Sequence, residues 1–315
     1  MRVVNDLSAL QRGRPTVLTI GAFDGVHRGH QFLMRSVVER ARAVEFESLV
    51  ITFDPRPQVV LRPGSNQLTG GKEKVRIISA VGPDLLAVLP FTRETSLLPA
   101  GQFVASILDH VNLAEVWVGA DFAFGHNREG DVDFLIRNGQ HSGFAVHVVS
   151  RQKLTSEPIN STSIRRLVRE GEVDQAAVLL GHYPTITGRV VSGEGRGRGL
   201  GFPTANLDLP AWQLLPETGI YAGYLRLDGL RRQAAISVGT NPTFGGDHVV
   251  VEAYVLDFDE DLSKREVDLD LVKRIRGEKR FDSAADLVEE MARDVDKVRT
   301  ILESAVEPGE LLLDG

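Results

Sequence analysis

Apolar residues change their period about halfway along this chain. In the first half, short unbroken apolar runs alternate with segments whose apolar residues recur every three or four positions. The runs are Val17 to Ile20, Ser48 to Phe53, Leu85 to Pro90, Glu115 to Val118 and Phe144 to Val149, the pattern of strands covered on both faces. After His30, residues Phe32, Leu33, Val37, Val38 and Ala41 keep helical spacing. Lys72 to Val81, Asp131 to Gln140, and a stretch from Pro99 with Phe103, Ile107, Leu108 and Val111 on one face do the same. Buried strands alternating with amphipathic helices predict an α/β domain, a parallel sheet with helices on both faces. Such sheets bind ligands at the carboxyl ends of their strands.

The second half behaves differently. A short helix over Val173 to Leu180 is followed by Gly181-His182-Tyr183-Pro184, which reads as a linker and sets expected domains of 1–181 and 182–315. Beyond it, strands follow one another without helices: Thr185 to Ser192, Ile220 to Leu227, Gln233 to Val238, Val249 to Leu256 and Val267 to Val272. Asp228-Gly229 is a hairpin turn signal. These features predict a small antiparallel β-barrel. A terminal helix begins at Ser283, with Asp286 completing a capping box, and Leu287, Met291, Val295, Val298 and Leu302 are its expected buried stripe over the barrel.

Composition narrows the classes. A length of 315 residues suits two cores. The balance of 43 acidic to 36 basic residues, a net charge of −7, argues against a nucleic-acid partner or an anionic membrane surface. With no cysteine there is no disulfide, thiolate nucleophile or thiolate metal site. Met1 to Gln11 is short and mixed, unlike a signal peptide, and no apolar run reaches membrane-spanning length. A cytoplasmic protein without membrane contact is expected, and a homo-oligomer is left open.

The most informative stretch is VLTIGAFDGVHRGH, Val17 to His30. A strand ends, a glycine-aspartate turn follows and a helix opens, so unpaired N–H groups and the helix dipole favour an anion. His27 and His30 lie three apart on one side of the first turn, and Gly29 admits close approach to the backbone. Further on, Ser161 or Thr162 can cap a helix whose first turn carries Arg165, a second anion site or an ordinary capped helix. In the second half, Gly193 to Gly201 holds a glycine at every second place with Arg196 and Arg198 between them. It lacks the Walker A and GxGxxG spacings, and it is too short and too acidic in context for an RGG segment, which leaves a flap able to wrap phosphates. Directly after it, Thr204 and Asn206 are two apart; in an extended segment their oxygens face one way, toward one Mg²⁺ or as a polar pair in a turn. Glu252 is the one charged residue in the apolar run Val249 to Leu256, a partly desolvated carboxylate suited to a base or an edge-strand glutamate.

HxGH after a strand, with Ser161 to Arg165 as an STxxR element, resembles the nucleotidyltransferase superfamily. GAFDGVHRGH, TFDPRP, VGADFAFG and INSTSIR, in that order, look like the adenylyltransferase half of the bacterial bifunctional riboflavin kinase/FAD synthetase family. GxxxGFPTAN and VEAYVLDF resemble its riboflavin kinase half, as do TNPTFG from Thr240 and the segment Arg274 to Phe281. The chain departs from the family pattern at Ala22, Arg56, Asn160 and Ser263. The resemblance implies a Rossmann-like adenylyltransferase domain and a barrel kinase domain with a terminal helix. It implies that His27, His30 and Arg165 stabilise the pyrophosphate, and that Gly21, Phe23, Asp24, Gly29, Ser161 and Thr162 bind ATP. Asp54, Pro55, Asp121, Phe122 and Arg276 are implied for flavin, though Asp121 reads equally well as a turn aspartate. In the barrel it implies Gly195, Arg196, Gly197, Arg198 and Gly199 around phosphates, Thr204 and Asn206 on Mg²⁺, and Glu252 as base. The substrates and products implied are ATP, riboflavin, FMN and FAD. Two rival readings are an adenylyltransferase for another phosphorylated substrate with a barrel that only binds, and a flavin-sensing regulator. Retention of Thr204, Asn206 and Glu252 speaks against the first, and retention of these with both histidines and Arg165 against the second.

Overall fold

The protein is described by a computed structural model, which covers residues 1–150, 159–192, 199, 201–241 and 248–309. The chain divides into two compact units, Met1–Ser161 and Thr162–Gly315.

The first unit is a six-stranded, wholly parallel sheet. Its strands are β1 (Arg2–Val4), β2 (Thr16–Ile20), β3 (Glu47–Asp54), β4 (Leu85–Pro90), β5 (Leu113–Gly119) and β6 (Ala145–Val149), in the order β1-β4-β3-β2-β5-β6. The helices are α1 (Arg28–Ala43), α2 (Pro57–Leu61), α3 (Gly71–Val81), α4 (Ala100–His110) and α5 (Val132–Ser142). All five predicted strands and four predicted helices are present. Strand β1 was not expected, since three residues carry no period, nor was α2, a single turn opened by Pro57. Core residues lie on both sides of the sheet: Leu18, Ile20, Leu49 and Ile51 pack with Val104 and Ile107 of α4. Val50 and Leu86 pack with Met34 of α1 and Ile78 of α3. From β2 the chain first winds through β3 and β4 on one side, then crosses to β5 and β6 on the other. The crevice for a ligand therefore opens at the carboxyl ends of β2 and β5.

The second unit begins with α6 (Ser161–Arg169), whose first residue closes the preceding unit, and α7 (Val173–Leu180). A closed antiparallel barrel follows, of β7 (Thr185–Val191), β8 (Thr204–Asp208), β9 (Gly219–Leu227), β10 (Leu230–Asn241), β11 (His248–Val255) and β12 (Glu266–Arg276), in the order β10-β11-β8-β7-β12-β9. The Asp228-Gly229 turn has both residues at positive φ, 49° and 78°, as a two-residue hairpin requires. Strand β8 was foreseen only as an extended segment. The division between units falls ahead of the expected linker because α7 packs on the barrel: Val173 joins the barrel core and Ala177 joins a cluster with Ala222, Leu256 and Val272.

Helix α8 (Ala284–Glu303) closes the unit against β9, β10 and β12. Ser283 caps it as expected, accepting from the Asp286 N–H at 3.1 Å. The buried line differs from the expected stripe. It runs Glu290, Asp294, Val298, Leu302, four residues apart each time, while Leu287 and Met291 are half-buried. The acidic half of that line is there because Arg276, at the end of β12, and Lys279 meet it: Arg276 reaches Asp294 at 2.7 Å and Lys279 reaches Glu290 at 2.6 Å.

Candidate functional site

In the first unit the strand-to-helix junction after β2 carries the histidines. His27 is the N-cap of α1, its Nδ1 accepting from the His30 N–H at 3.3 Å. An accepting Nδ1 leaves the proton of the neutral ring on Nε2. The two rings stack 3.5 Å apart at 18°, too close for both to be cations. Desolvation, then the neighbouring His27 and Lys74, hold His30 well below the ordinary histidine pKa of 6.5. The buried Nδ1 of His30 has no hydrogen-bond partner among the described residues. Gly29 is where close approach is needed, since a Cβ there would stand 3.3 Å from His27 Nδ1.

The turn before the histidines is held by its own side chains. Phe23 and Val26 adopt left-handed backbone, φ 41° and 38°, and are buried against Met34, Val50 and Ile78. The burial holds residues of a type that disfavours this region. Phe23 also meets His30 edge-on at 5.1 Å, and a Cβ on Gly21 would collide with the Phe23 ring at 2.8 Å. Asp24, expected around ATP, is 4% exposed; it accepts from Leu68 N at 2.8 Å and pairs with Arg56 at 3.2 Å. Its carbonyl accepts at 3.0 Å from the Oγ of Ser161, the last residue of this unit. Thr162 is exposed and Arg165 half-buried on the next residues of α6.

The flavin candidates of this unit lie at the ends of β3 and β5. Asp54 closes β3, with a cis bond to Pro55, and a Cβ on Gly71 would meet its carboxylate at 2.3 Å. Asp121 and Phe122 follow β5, where Phe122 stacks on Phe124 at 5.3 Å. Phe124 continues to Phe103 at 6.0 Å, and Phe103 to Phe53 at 6.4 Å. This run of rings borders an apolar hollow lined by Leu18, Ile20, Phe103, Phe122, Phe124 and Phe144. The sequence did not single out Phe103 or Phe124 for it. Nor did it single out Lys74, although a lysine three and four places before Ile77 and Ile78 stands on the buried line of α3.

In the barrel, three candidates separated by up to 48 residues in sequence share one face. Asn206 of β8 lies opposite Glu252 of β11, and Thr204 opposite Tyr254, and directly opposed residues of an antiparallel pair point to the same side. Val251 and Ala253 fill the barrel, so Glu252 and Tyr254 face outward, half-buried. The Thr204 hydroxyl donates to Glu252 Oε2 at 3.1 Å. Phe202 packs edge-on against Tyr254 at 5.2 Å at the border of this face. Gly199 is exposed with open space around its Cα, while Gly195, Arg196, Gly197 and Arg198 lie outside the described residues. Arg276 is at the end of β12 in its ion pair with Asp294.

Comparison with known proteins agrees with both halves. A family model for FAD synthetase matches residues 10–163, and one for riboflavin kinase matches residues 180–302. The chain is 34% identical to the bifunctional riboflavin kinase/FMN adenylyltransferase of Listeria monocytogenes, covering 90% of this chain and 91% of that protein. The chain belongs to the bifunctional riboflavin kinase/FMN adenylyltransferase family. Another member, from Escherichia coli, is 36% identical over 93% of this chain and 95% of its own length. Among solved structures, one described as a macrolide-efflux protein from Streptococcus pneumoniae superposes with a TM-score of 0.82 at 29% identity, over 95% of this chain and 98% of that one. That likeness carries the fold shared with this riboflavin kinase/FMN adenylyltransferase family member. No helix among the described residues is long and apolar enough to cross a membrane.

Proposed function

We propose that this chain makes FAD in two steps, phosphorylating riboflavin in the barrel and adenylylating the FMN so formed in the parallel-sheet unit. The observation that carries this reading is a cluster of candidate residues in each unit, Thr204, Asn206 and Glu252 on one strand face of the barrel and His27 stacked on His30 where β2 gives way to α1. Full-length relatives bear both activities in their names.

The kinase step needs a base, because the ribityl 5′-hydroxyl must lose its proton as its oxygen attacks the γ-phosphorus of ATP. Glu252 accepts that proton, and ADP leaves. The hydroxyl of Thr204 and the amide oxygen of Asn206 are hard oxygen donors and would hold Mg²⁺. Bound there, the ion neutralises the charge of the transferring phosphoryl group. Gly195 to Gly199 and the two arginines among them wrap the phosphates, and Phe202 with Tyr254 offers an apolar border for the flavin rings.

Adenylyl transfer asks less. The FMN phosphate is already an anion, so its oxygen attacks the α-phosphorus of ATP without a base and pyrophosphate leaves. His27, His30 and Arg165 stabilise the leaving charge, with the N-terminus of α1 behind them. Phe53, Phe103, Phe122 and Phe124 suit a flat, apolar ring system beside that point, with Asp54, Pro55 and Asp121 at its polar edge. We assign Phe23 and Asp24 to shaping the turn that binds ATP rather than to touching it. The linker at Gly181 to Pro184 is proposed to part the two activities in sequence, although α7 ahead of it packs with the barrel, and the enzyme is proposed to work in the cytoplasm. Incubating the protein with riboflavin, ATP and Mg²⁺ and resolving flavins by chromatography tests the reading: FMN should appear first and FAD after it. Failure to form either product would overturn it.

A further inference from the structure

Lys74 of α3 is completely buried, an unusual place for an ammonium group. Its Nζ donates to the carbonyl of Ala22 at 3.1 Å and to the carbonyl of Phe53 at 2.7 Å. Ala22 belongs to the turn that leads into His27 and His30, and Phe53 directly precedes Asp54 and Pro55. The lysine therefore spans the carboxyl ends of β2 and β3. Thr52 Oγ1 donates to the same Ala22 carbonyl at 3.3 Å, so that oxygen is bound from two elements. Burial draws the lysine's pKa down, while the carboxylates of Asp24 and Asp54 oppose that and Arg56 adds to it. A methionine or leucine would fill this volume without the cost of desolvating a charge. What the ammonium supplies that neither could is a bond to each of two turns at once.

We propose that Lys74 is a positioning residue of adenylyl transfer, its ammonium fastening the phosphate-binding turn after β2 to the flavin-side turn after β3. The two substrates come from different turns, and in-line attack needs the FMN oxygen and the α-phosphorus of ATP to be held in register. A displacement of about 1 Å between reacting groups can cost roughly 10²-fold in rate. Lys74 touches neither substrate and acts through Ala22 and Phe53.

The inference rests on the adenylyltransferase reading of the first unit, and the full-length parent protein separates the two: if it makes no FAD from FMN and ATP, that reading has failed. Given an active parent, Lys74→Met should lower kcat for FAD formation roughly 10²-fold. KM for ATP and for FMN should stay within about threefold, and Lys74→Arg, which keeps charge and donors, should recover most of the loss. Riboflavin phosphorylation by the same preparation should be unchanged. A Lys74→Met enzyme with near-parent kcat overturns the proposal, as does a variant whose loss lies wholly in KM or is shared by Lys74→Arg. If Lys74→Met does not fold, Lys74→Gln is read in the same way. Should neither give a folded first unit by circular dichroism, the lysine serves the fold and the proposal is wrong.

Discussion

The Thr204 hydroxyl donates to Glu252 Oε2 across 3.1 Å, joining neighbouring strands of the barrel. For the proposed role of Glu252 as the base of the kinase step, this bond would aim the carboxylate. Glu252→Gln keeps the shape and can still accept from Thr204, but it cannot take a proton. Turnover of riboflavin to FMN should fall roughly 10² to 10⁴-fold with little change in melting temperature. With FMN supplied directly, FAD formation should stay near the parent rate. A variant that phosphorylates riboflavin at parental turnover would make Glu252 a structural carboxylate of the β8–β11 pair.

His30 provides a pH signature. Its pKa is held well below 6.5, chiefly by desolvation and then by the charges of His27 and Lys74. A base whose folded pKa lies below its unfolded value binds fewer protons when folded. Stability therefore rises with pH across the interval and is lost as pH falls from about 6.5 toward the folded value. Thermal melts between about pH 5 and 7 should show this slope for the parent, and His30→Ala should flatten it. The same variant should lose FAD formation by roughly 10² to 10³-fold while FMN formation continues. A parallel fall in both activities in a folded protein would refute separate sites.

Most of the fold was legible because each unit has one clean period. Five strands of the sheet are continuous apolar runs, and the barrel strands alternate. What stayed hidden was non-local. Strand β8 has only five residues, and just Ala205 and Leu207 alternate with Thr204, Asn206 and Asp208, too short a pattern to read as a strand; it becomes one because β7 and β11 flank it. Of the candidate site, His27, His30, Thr204, Asn206 and Glu252 could be proposed from spacing and context. The bond between Thr204 and Glu252 could not, since register is set by neighbouring strands. The burial of Asp24 was not legible either, since its partners Arg56 and the Leu68 N–H come from later in the chain.

Arg276 was expected at the flavin, and its surroundings suggest another duty. The guanidinium bonds Asp294 through Nε and Nη2, at 3.0 and 2.7 Å, beneath α8. Asp294 is 3% exposed, so Asp294→Ala leaves the half-buried guanidinium with only Glu290, 3.6 Å away, and the Gly277 carbonyl, and should cost about 1–3 kcal/mol. The double replacement Arg276→Met with Asp294→Leu should be milder than either single change, measured by urea denaturation. Were Arg276 a flavin ligand instead, Arg276→Met would raise KM for riboflavin with no loss of stability.

The remaining prediction concerns where the kinase half begins. Gly181 to Pro184 looks like a linker by composition, yet α7 on its far side is part of the barrel's packing. Val173, Ala176, Ala177 and Leu180 are all at most 3% exposed. Val173 sits in the barrel core, and Ala177 lies with Tyr183, Val298 and Leu302 between barrel and α8. Cutting at Tyr183 would uncover these contacts and lose on the order of 1.5–3 kcal/mol for each of Val173 and Leu180. A fragment from Thr162 to the C-terminus should therefore fold cooperatively and phosphorylate riboflavin. One from Tyr183 should melt markedly lower or aggregate, since removing α7 exposes Ala222 and Val272 of β9 and β12. Calorimetry on both fragments with a kinase assay decides the matter: equal melting temperatures would mean that α7 merely rests on the barrel and that the linker is the true boundary.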